Sequence, residues 1–338
     1  MRKSLKLLLL FLGIGLVAWL FLRADPAGVW DVLKSLGPWA PLLLCPYGLV
    51  YLIDTLGWRL TFGHQLPPTL SFGRLIRIRW AGESINTLVP SGYLGGEAVK
   101  VYLLHQAGIS GWTGATSVVV SKTVQILTQV LFIALGASLG AMHLPPGSPF
   151  RTALWAITGC AMTVLLLLIG TQYYGFFRSL NRVAAFSPRW RQWFERHRQR
   201  IQEVDHSIRS FYHCEPRWFL LSAGAYLAGW LCDTLEIWLV SAWLGWHVDW
   251  PRAAAIEAFI GVAKALGTFV PASIGVQESG VVLLFRAFGL TSSQALAYAL
   301  LRRGRELVYA LVGLVFLWSQ ESSLKLLKTK ITQDTASD

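Results

Sequence analysis

Glu97 and Glu278 each stand seven residues beyond a proline, Pro90 and Pro271, inside stretches that are otherwise apolar. A charged side chain at the centre of a bilayer costs about 2.5–3.5 kcal/mol on insertion scales, so charges in such stretches imply partners or a wet cavity. Cations stand in the same or neighbouring runs: Lys100, Lys122, Lys264, Arg302, Arg303 and Arg305, with Glu83 and Glu306 as further carboxylates. Arg offers a planar fork for bidentate phosphate contact and Lys a compact point charge. These residues predict a polar cavity in which Lys122, Lys264 and the arginines surround an anion such as a lipid phosphate. Glu97 and Glu278 are expected to line that one cavity beside Lys122 and Arg303, as proton-sensitive partners. Arg302 and Glu306, at i and i+4, suit a structural ion pair.

The two glutamates belong to a repeat. TLVPSGYLGGEAVKVYLLHQAGIS, from Thr87, overlays TFVPASIGVQESGVVLLFRAFGLT, from Thr268, without a gap, and seven of twenty-four positions are identical. The same register carries Lys122 onto Arg303, Gln125 onto Glu306 and Glu83 onto Lys264. The last exchange, of opposite signs at equivalent places, predicts an ion pair across a pseudo-twofold axis. Small residues follow each proline (Ser91, Gly92, Gly95 and Gly96; Ala272, Ser273 and Gly275), and N–H groups exposed at such helix starts favour anions.

The elements that must hold these side chains are membrane helices. Of 338 residues 54% are hydrophobic and only 14% charged, with sixteen tryptophans, which excludes an ordinary soluble domain. The net charge of +12 has its largest basic block, the arginines from Arg178 to Arg217, between two apolar runs, where it records topology rather than nucleic-acid binding. About twenty apolar residues cross a hydrocarbon core. Six segments qualify, at 5–22, 39–60, 113–141, 151–173, 216–244 and 294–318; the first is read as a retained span rather than a cleaved signal. Regions 72–108 and 252–290 are broken by Pro90 and Pro271 into arms too short to cross, which suits re-entrant hairpins. The expected fold is thus an all-α polytopic membrane protein: six transmembrane helices plus two re-entrant helical hairpins in an inverted repeat. One membrane domain covers 1–318, with repeat cores at about 72–141 and 252–318, a basic loop at about 175–215 and a tail at 319–338.

The positive-inside rule places both termini, the loop from Phe62 to Arg79, the arginine-rich loop and the tail in the cytoplasm. Trp39, Trp58, Trp112, Trp218, Trp246, Trp250 and Trp318 then fall near span ends, as an aromatic belt requires. Asp54, Asp233 and Glu236 are expected to snorkel or pair locally. The histidines and the four cysteines show no metal-ligand spacing, so no metal or cofactor is expected.

RIRWAGESINTLVPSGYLGGEAVKVYLLHQAG, PASIGVQESGVVLLFRAFGL and LLRRGRELVYALVGL together resemble the flippase-like membrane region of lysylphosphatidylglycerol synthases and its stand-alone relatives, from about Arg74 to Leu317. The run from Asn86 to Pro90, the GGE at Gly95 to Glu97 and the later Pro271, Gly275 and Glu278 carry the likeness. The resemblance implies lipid translocation, and some relatives are associated with hopanoid synthesis. The soluble transferase domain of the full-length synthases would follow the last span; here about twenty residues follow it, so aminoacyl transfer is not expected. The expected function is a transporter or flippase of an amphipathic, anionic or isoprenoid-type lipid in the bacterial inner membrane. The alternatives are a partner of lipid-biosynthesis proteins and an intramembrane lipid-modifying enzyme. Membrane lipids are the expected partners.

Overall fold

A computed structural model describes residues 26–68, 70–89, 94–174, 202, 210–212, 215–266 and 275–334. The proline turns at Pro90 and Pro271, the segment 5–22 and most of the arginine-rich loop lie outside them. Among the described residues the chain is all helical. A short α1 (Pro26–Ser35) leads through a 3-10 turn into α2 (Leu44–Leu60), then α3 (Phe72–Leu88), α4 (Leu94–Gln106), α5 (Gly111–Met142) and α6 (Pro149–Tyr174). After the basic loop come α7 (Pro216–Leu244), α8 (Trp250–Leu266), α9 (Val276–Ala287) and α10 (Ser292–Asp334).

Among the described residues, four helical stretches are long and apolar enough to cross a membrane: Ala40–Leu60, Gly111–Met142, Pro149–Gly170 and Pro216–Leu244. They coincide with four of the six expected spans. The expected span at 294–318 is helical within α10, but Arg302, Arg303, Arg305 and Glu306 take it out of the apolar class. Their outward faces are apolar, with Leu49, Leu52, Leu135, Leu166, Leu167 and Leu220 exposed, which suits a lipid solvent.

Each interrupted region forms two short helices. α3 and α4 pack antiparallel: Asn86 meets Gly96, Glu83 meets Lys100, and Leu75 and Ile78 share a core with Leu103 and Leu104. The close approach needs glycine, since a Cβ on Gly82 would lie 2.8 Å from the Gly96 carbonyl. α8 and α9 pack likewise, with Gly280 against Phe259 and Ala263.

The repeat extends to the elements. In the register that puts Thr87 on Thr268, α4 falls on α9 and the first residue of α5 on the first of α10. Both short helices end alike. Gly108 and Gly289 take φ of 86° and 83°, and the next amide reaches back to Leu104 O at 3.1 Å or to Phe285 O at 2.8 Å. That is a Schellman-type stop, at which a left-handed glycine satisfies the last carbonyls. Packing is reciprocal as well: α3 lies on α10, its counterpart α8 lies on α5, and α2 lies on α7. The α5–α8 seam is made of small residues, Gly136 and Gly140 facing Ala254, Ala255 and Ala258, which lets the backbones approach closely.

Two sequence expectations change here. Arg79, assigned to a cytoplasmic loop, is buried within α3, and Trp58, assigned to the aromatic belt, is almost wholly buried. In both cases the residue serves the helix packing: Arg79 faces α2, and the Trp58 ring lies under the Lys100 ammonium, 5.9 Å from its centroid.

Candidate functional site

A cavity of about 470 Å³ lies between α2, α3, α5, α7, α8, α9 and α10. Among the described residues its charged lining is Asp54, Arg79, Glu83, Lys122, Asp233, Lys264, Arg303 and Glu306, with Asn86, Gln125, Gln129 and Gln277 as amides. Tyr47, Tyr51 and Trp230 complete the polar aromatic part, and Val130 and Ile133 are among the apolar part. A mostly preformed concavity of a few hundred Å³ with convergent polar groups is what a small ligand or a lipid head group requires.

In the first repeat, the Lys100 ammonium donates to Glu83 at 2.6 Å and to Glu97 at 3.1 Å. Lys122 on α5 donates to Gln125 at 3.1 Å and stands 3.7 Å from the other face of the network, Glu97 Oε1. Asn86 accepts from the Gly96 amide at 2.9 Å, which fixes the start of α4 against the end of α3. Arg79 donates to Asp54 at 2.6 Å, and Gln125 donates to the same carboxylate oxygen at 3.2 Å.

In the second repeat, Arg303 donates through Nε to Glu278 at 2.6 Å and through Nη1 to Glu306 at 3.0 Å. Lys264 stands 3.1 Å from the other oxygen of Glu306. Glu278 has a second task. Its Oε2 accepts from the Gly275 amide at 2.7 Å, capping α9 where Gly275 has φ of 85° and a side chain would be strained. Glu97–Lys122 and Glu278–Arg303 are therefore the same ion pair in the two repeats, and Lys122–Gln125 and Arg303–Glu306 are the same i, i+3 contact.

Behind this layer Arg302 donates to both oxygens of Glu257, at 2.6 and 2.7 Å, and is 3.9 Å from Glu306. Arg305 pairs with Glu236, stands 3.6 Å from Asp233, and lies over the Tyr47 ring, 3.7 Å from its centroid.

The sequence-derived residues thus divide by depth. Glu83, Asn86, Lys122, Gln125, Lys264, Arg303 and Glu306 line the cavity, whereas Glu97, Glu278, Arg302 and Arg305 are not among its lining residues. Gly95, Gly96 and Gly275 shape the helix starts behind the wall. Glu97 and Glu278 hold the lining cations Lys122 and Arg303, and Glu97 borders a smaller adjoining pocket with Glu83, Lys122 and Gln125. One expectation is corrected among the described residues. Glu83 and Lys264 are partnered within their own repeats, by Lys100 and Glu306, in place of one another. Asp54 and Asp233, expected to snorkel or pair locally, do pair, with Arg79 and Arg305, and they also line the cavity; Arg79, Glu257 and Gln277 were missed. A helical period through Leu75, Ile78, Arg79 and Gly82 marks the buried face of α3 and would have put Arg79 inside.

A family profile for the membrane region of lysylphosphatidylglycerol synthase matches residues 5–313. A protein described as a UPF0104 membrane protein from Methanothermobacter thermautotrophicus is 23% identical over 334 residues, covering 91% of this chain and 92% of its own. Another of that description from Pyrococcus horikoshii is 24% identical over 274 residues, covering 75% of this chain and 80% of its own.

Proposed function

The chain belongs to the family of the lysylphosphatidylglycerol synthase membrane region, and from that premise we propose that it moves an amphipathic lipid between leaflets. The head group passes through the central cavity while the tails stay in the bilayer. The observation that carries this reading is the cavity itself: a charged space of about 470 Å³ walled by helices of a membrane-protein family. Charge inside such a protein is retained at a cost, and a polar cargo path gives that cost a use.

The arrangement of helices supports an alternating mechanism. We read α3–α4 and α8–α9 as re-entrant hairpins that approach from opposite faces, so that their broken tips meet near the midplane as in inverted-repeat transporters. α2, α5, α6, α7 and α10, with the segment at 5–22, are then the crossings, in a bacterial inner membrane with both termini cytoplasmic. Glu97 with Lys122 and Glu278 with Arg303 tie each hairpin to the long helix that follows it. Both pairs lie within a repeat, so each keeps its hairpin and long helix together as one unit while that unit rocks against the other.

The test is transport by purified protein in liposomes with lipids labelled on an acyl chain. Glu97→Gln and Glu278→Gln keep side-chain shape and remove the charge that holds a cation. Both variants are expected to insert and remain monodisperse while moving lipid about tenfold more slowly, a barrier change of about 1.4 kcal/mol; a folding defect from the unpaired cation is read separately from the monodispersity of the solubilised protein. Parental rates in two well-folded variants defeat the proposed role of these pairs. Chemical alteration of the lipid during the assay would point to an enzyme instead.

A further inference from the structure

The buried ions fall into groups that close on themselves, with one exception. Among the described residues Glu83 and Glu97 share Lys100 and Lys122, Glu278 and Glu306 share Lys264 and Arg303, and Glu257 holds Arg302. Each of these groups is neutral. Around the seam between α2 and α7, three carboxylates, Asp54, Asp233 and Glu236, stand with two cations, Arg79 and Arg305. The proline turns carry no charged residue at 90–93 or 267–274, so they do not make up the difference. A carboxylate left unmatched inside a membrane protein is costly, and it either finds a cation or takes up a proton.

The surplus falls on Asp233. Arg79 donates to Asp54, and Arg305 is closer to Glu236 than to Asp233, whose Oδ1 lies 3.6 Å from the guanidinium. Asp233 is 5% exposed and lines the cavity, yet no described residue donates a hydrogen bond to its Oδ1. With Oδ1 enclosed and turned to Arg305, Oδ2 is the oxygen left on the cavity side. Asp54 comes to meet it. Both donors to Asp54, Arg79 and Gln125, use Oδ2, and its Oδ1 reaches across the seam to Gly229 on α7, where a Cβ would clash with it. Asp233 follows Gly229 by four residues and therefore lies one turn along the same face of α7. The other titratable groups of this wall are Tyr47 and Tyr51 on α2 and members of the neutral groups: Glu83 on α3, Lys122 on α5, Lys264 on α8, and Arg303 and Glu306 on α10. None of them supplies the missing charge. A metal ion takes several oxygen ligands and here would stand beside two guanidinium groups. A proton needs one lone pair, and two carboxylates at one site take up one between them.

We propose that Asp54 and Asp233 bind one proton between them and that this proton is the ion coupled to transport. The proposal rests on the transport reading above and names its coupling ion. α2 and α7 belong to different repeats, because the repeat register lays residues 44–60 onto 225–241, within α7. With the proton in place the seam is neutral and the repeats can close on it; without it, like charges on facing helices push the repeats apart. A ligand shifts a conformational equilibrium by its differential affinity for the two states, and the proton favours the state in which this seam is shut.

Two measurements on the purified full chain test this. Infrared difference spectra of the solubilised protein, titrated in pH, read the site without transport, since a protonated carboxyl has a carbonyl band apart from the amide bands. The parent is expected to keep one such band near neutral pH, where exposed carboxyls have lost theirs. Asp233→Asn is expected to lose it and Asp233→Glu to retain it; the Asn variant leaves Arg305 with Glu236 and mimics the protonated form, so it should fold. In liposomes with the membrane potential clamped, a pH gradient of about one unit is expected to hold a trace of acyl-labelled lipid about tenfold from an even distribution, as one proton per lipid requires. Reversing the gradient should reverse the asymmetry, a sodium gradient at equal pH should produce none, and Asp233→Asn should bring the ratio to one. A parent without the band overturns the inference, as does a sodium-driven asymmetry or a monodisperse Asp233→Asn protein that still answers to pH. Lipid that equilibrates but ignores the gradient overturns the coupling. If no lipid moves at all, the transport reading falls, and the infrared titration still decides whether the pair binds a proton.

Discussion

Arg302 is 2% exposed and has both oxygens of Glu257 on its guanidinium, a bidentate pair on helices far apart in sequence. Breaking such a pair from one side leaves an uncompensated buried charge, at a cost of about 3–5 kcal/mol, whereas replacing both partners with apolar groups is often neutral. Glu257→Gln is therefore expected to lower the thermal midpoint of the solubilised protein sharply, and Glu257→Leu with Arg302→Leu to restore most of it. A single variant that melts with the parent would mean that Tyr298 and Glu306, at 3.3 and 3.9 Å, suffice to hold the arginine. At this scale the sequence was informative about which residues are out of place and poor at pairing them. A charge inside an apolar run is visible from composition, so Arg302, Arg303, Arg305 and Glu306 stood out together. Which of them reaches the cavity depends on helix rotation and on partners such as Glu257 and Glu236, which lie on other helices. The two repeat pairs were legible because one offset aligns glutamate with glutamate and lysine with arginine.

Among the elements, α5 and α8 approach so closely that a Cβ on Gly136 would lie 2.7 Å from both the Ala254 carbonyl and the Ala258 methyl. A backbone oxygen cannot step aside as a side chain can. Gly136→Val is expected to force the two helices apart and destabilise the protein by about 1–3 kcal/mol or more, the usual cost of overpacking. Gly159 on α6 has open space around its Cβ position, so Gly159→Ala should be neutral or slightly stabilising through helix propensity. Melting curves of the two variants in one detergent make the comparison; equal midpoints would show that the seam yields. Hydropathy located α2, α5, α6 and α7 well because nothing competes with it there. It served α3 less well, since three arginines within six residues read as a loop, whereas Arg74 and Arg77 lie toward the surface and Arg79 turns inward to Asp54. The C-terminal stops of α4 and α9 fall on glycines that the repeat register aligns, a role that only the left-handed φ of Gly108 and Gly289 reveals.

For the whole molecule, the reciprocal packing of α3 on α10 and α8 on α5 is the relation that a twofold between two units requires. The direction of that axis decides the mechanism, because units related by an axis in the membrane plane put their hairpins on opposite faces. On the proposed reading the chain crosses three times between the two hairpins, through α5, α6 and α7, each long and apolar enough, and an odd number of crossings changes sides. Ser110 and Thr291 are equivalent in the repeat register, each exposed at the start of the helix after its hairpin. In a background with all four native cysteines replaced, because Cys45 and Cys160 are exposed, Ser110→Cys and Thr291→Cys should each react with a membrane-impermeant thiol reagent. The expected pattern in right-side-out and inverted vesicles is opposite: Ser110→Cys labelled from the cytoplasmic face and Thr291→Cys from the other. Labelling of both from one face would make the repeat parallel, place both hairpin tips on one side of the cavity, and remove the geometric basis for alternating access.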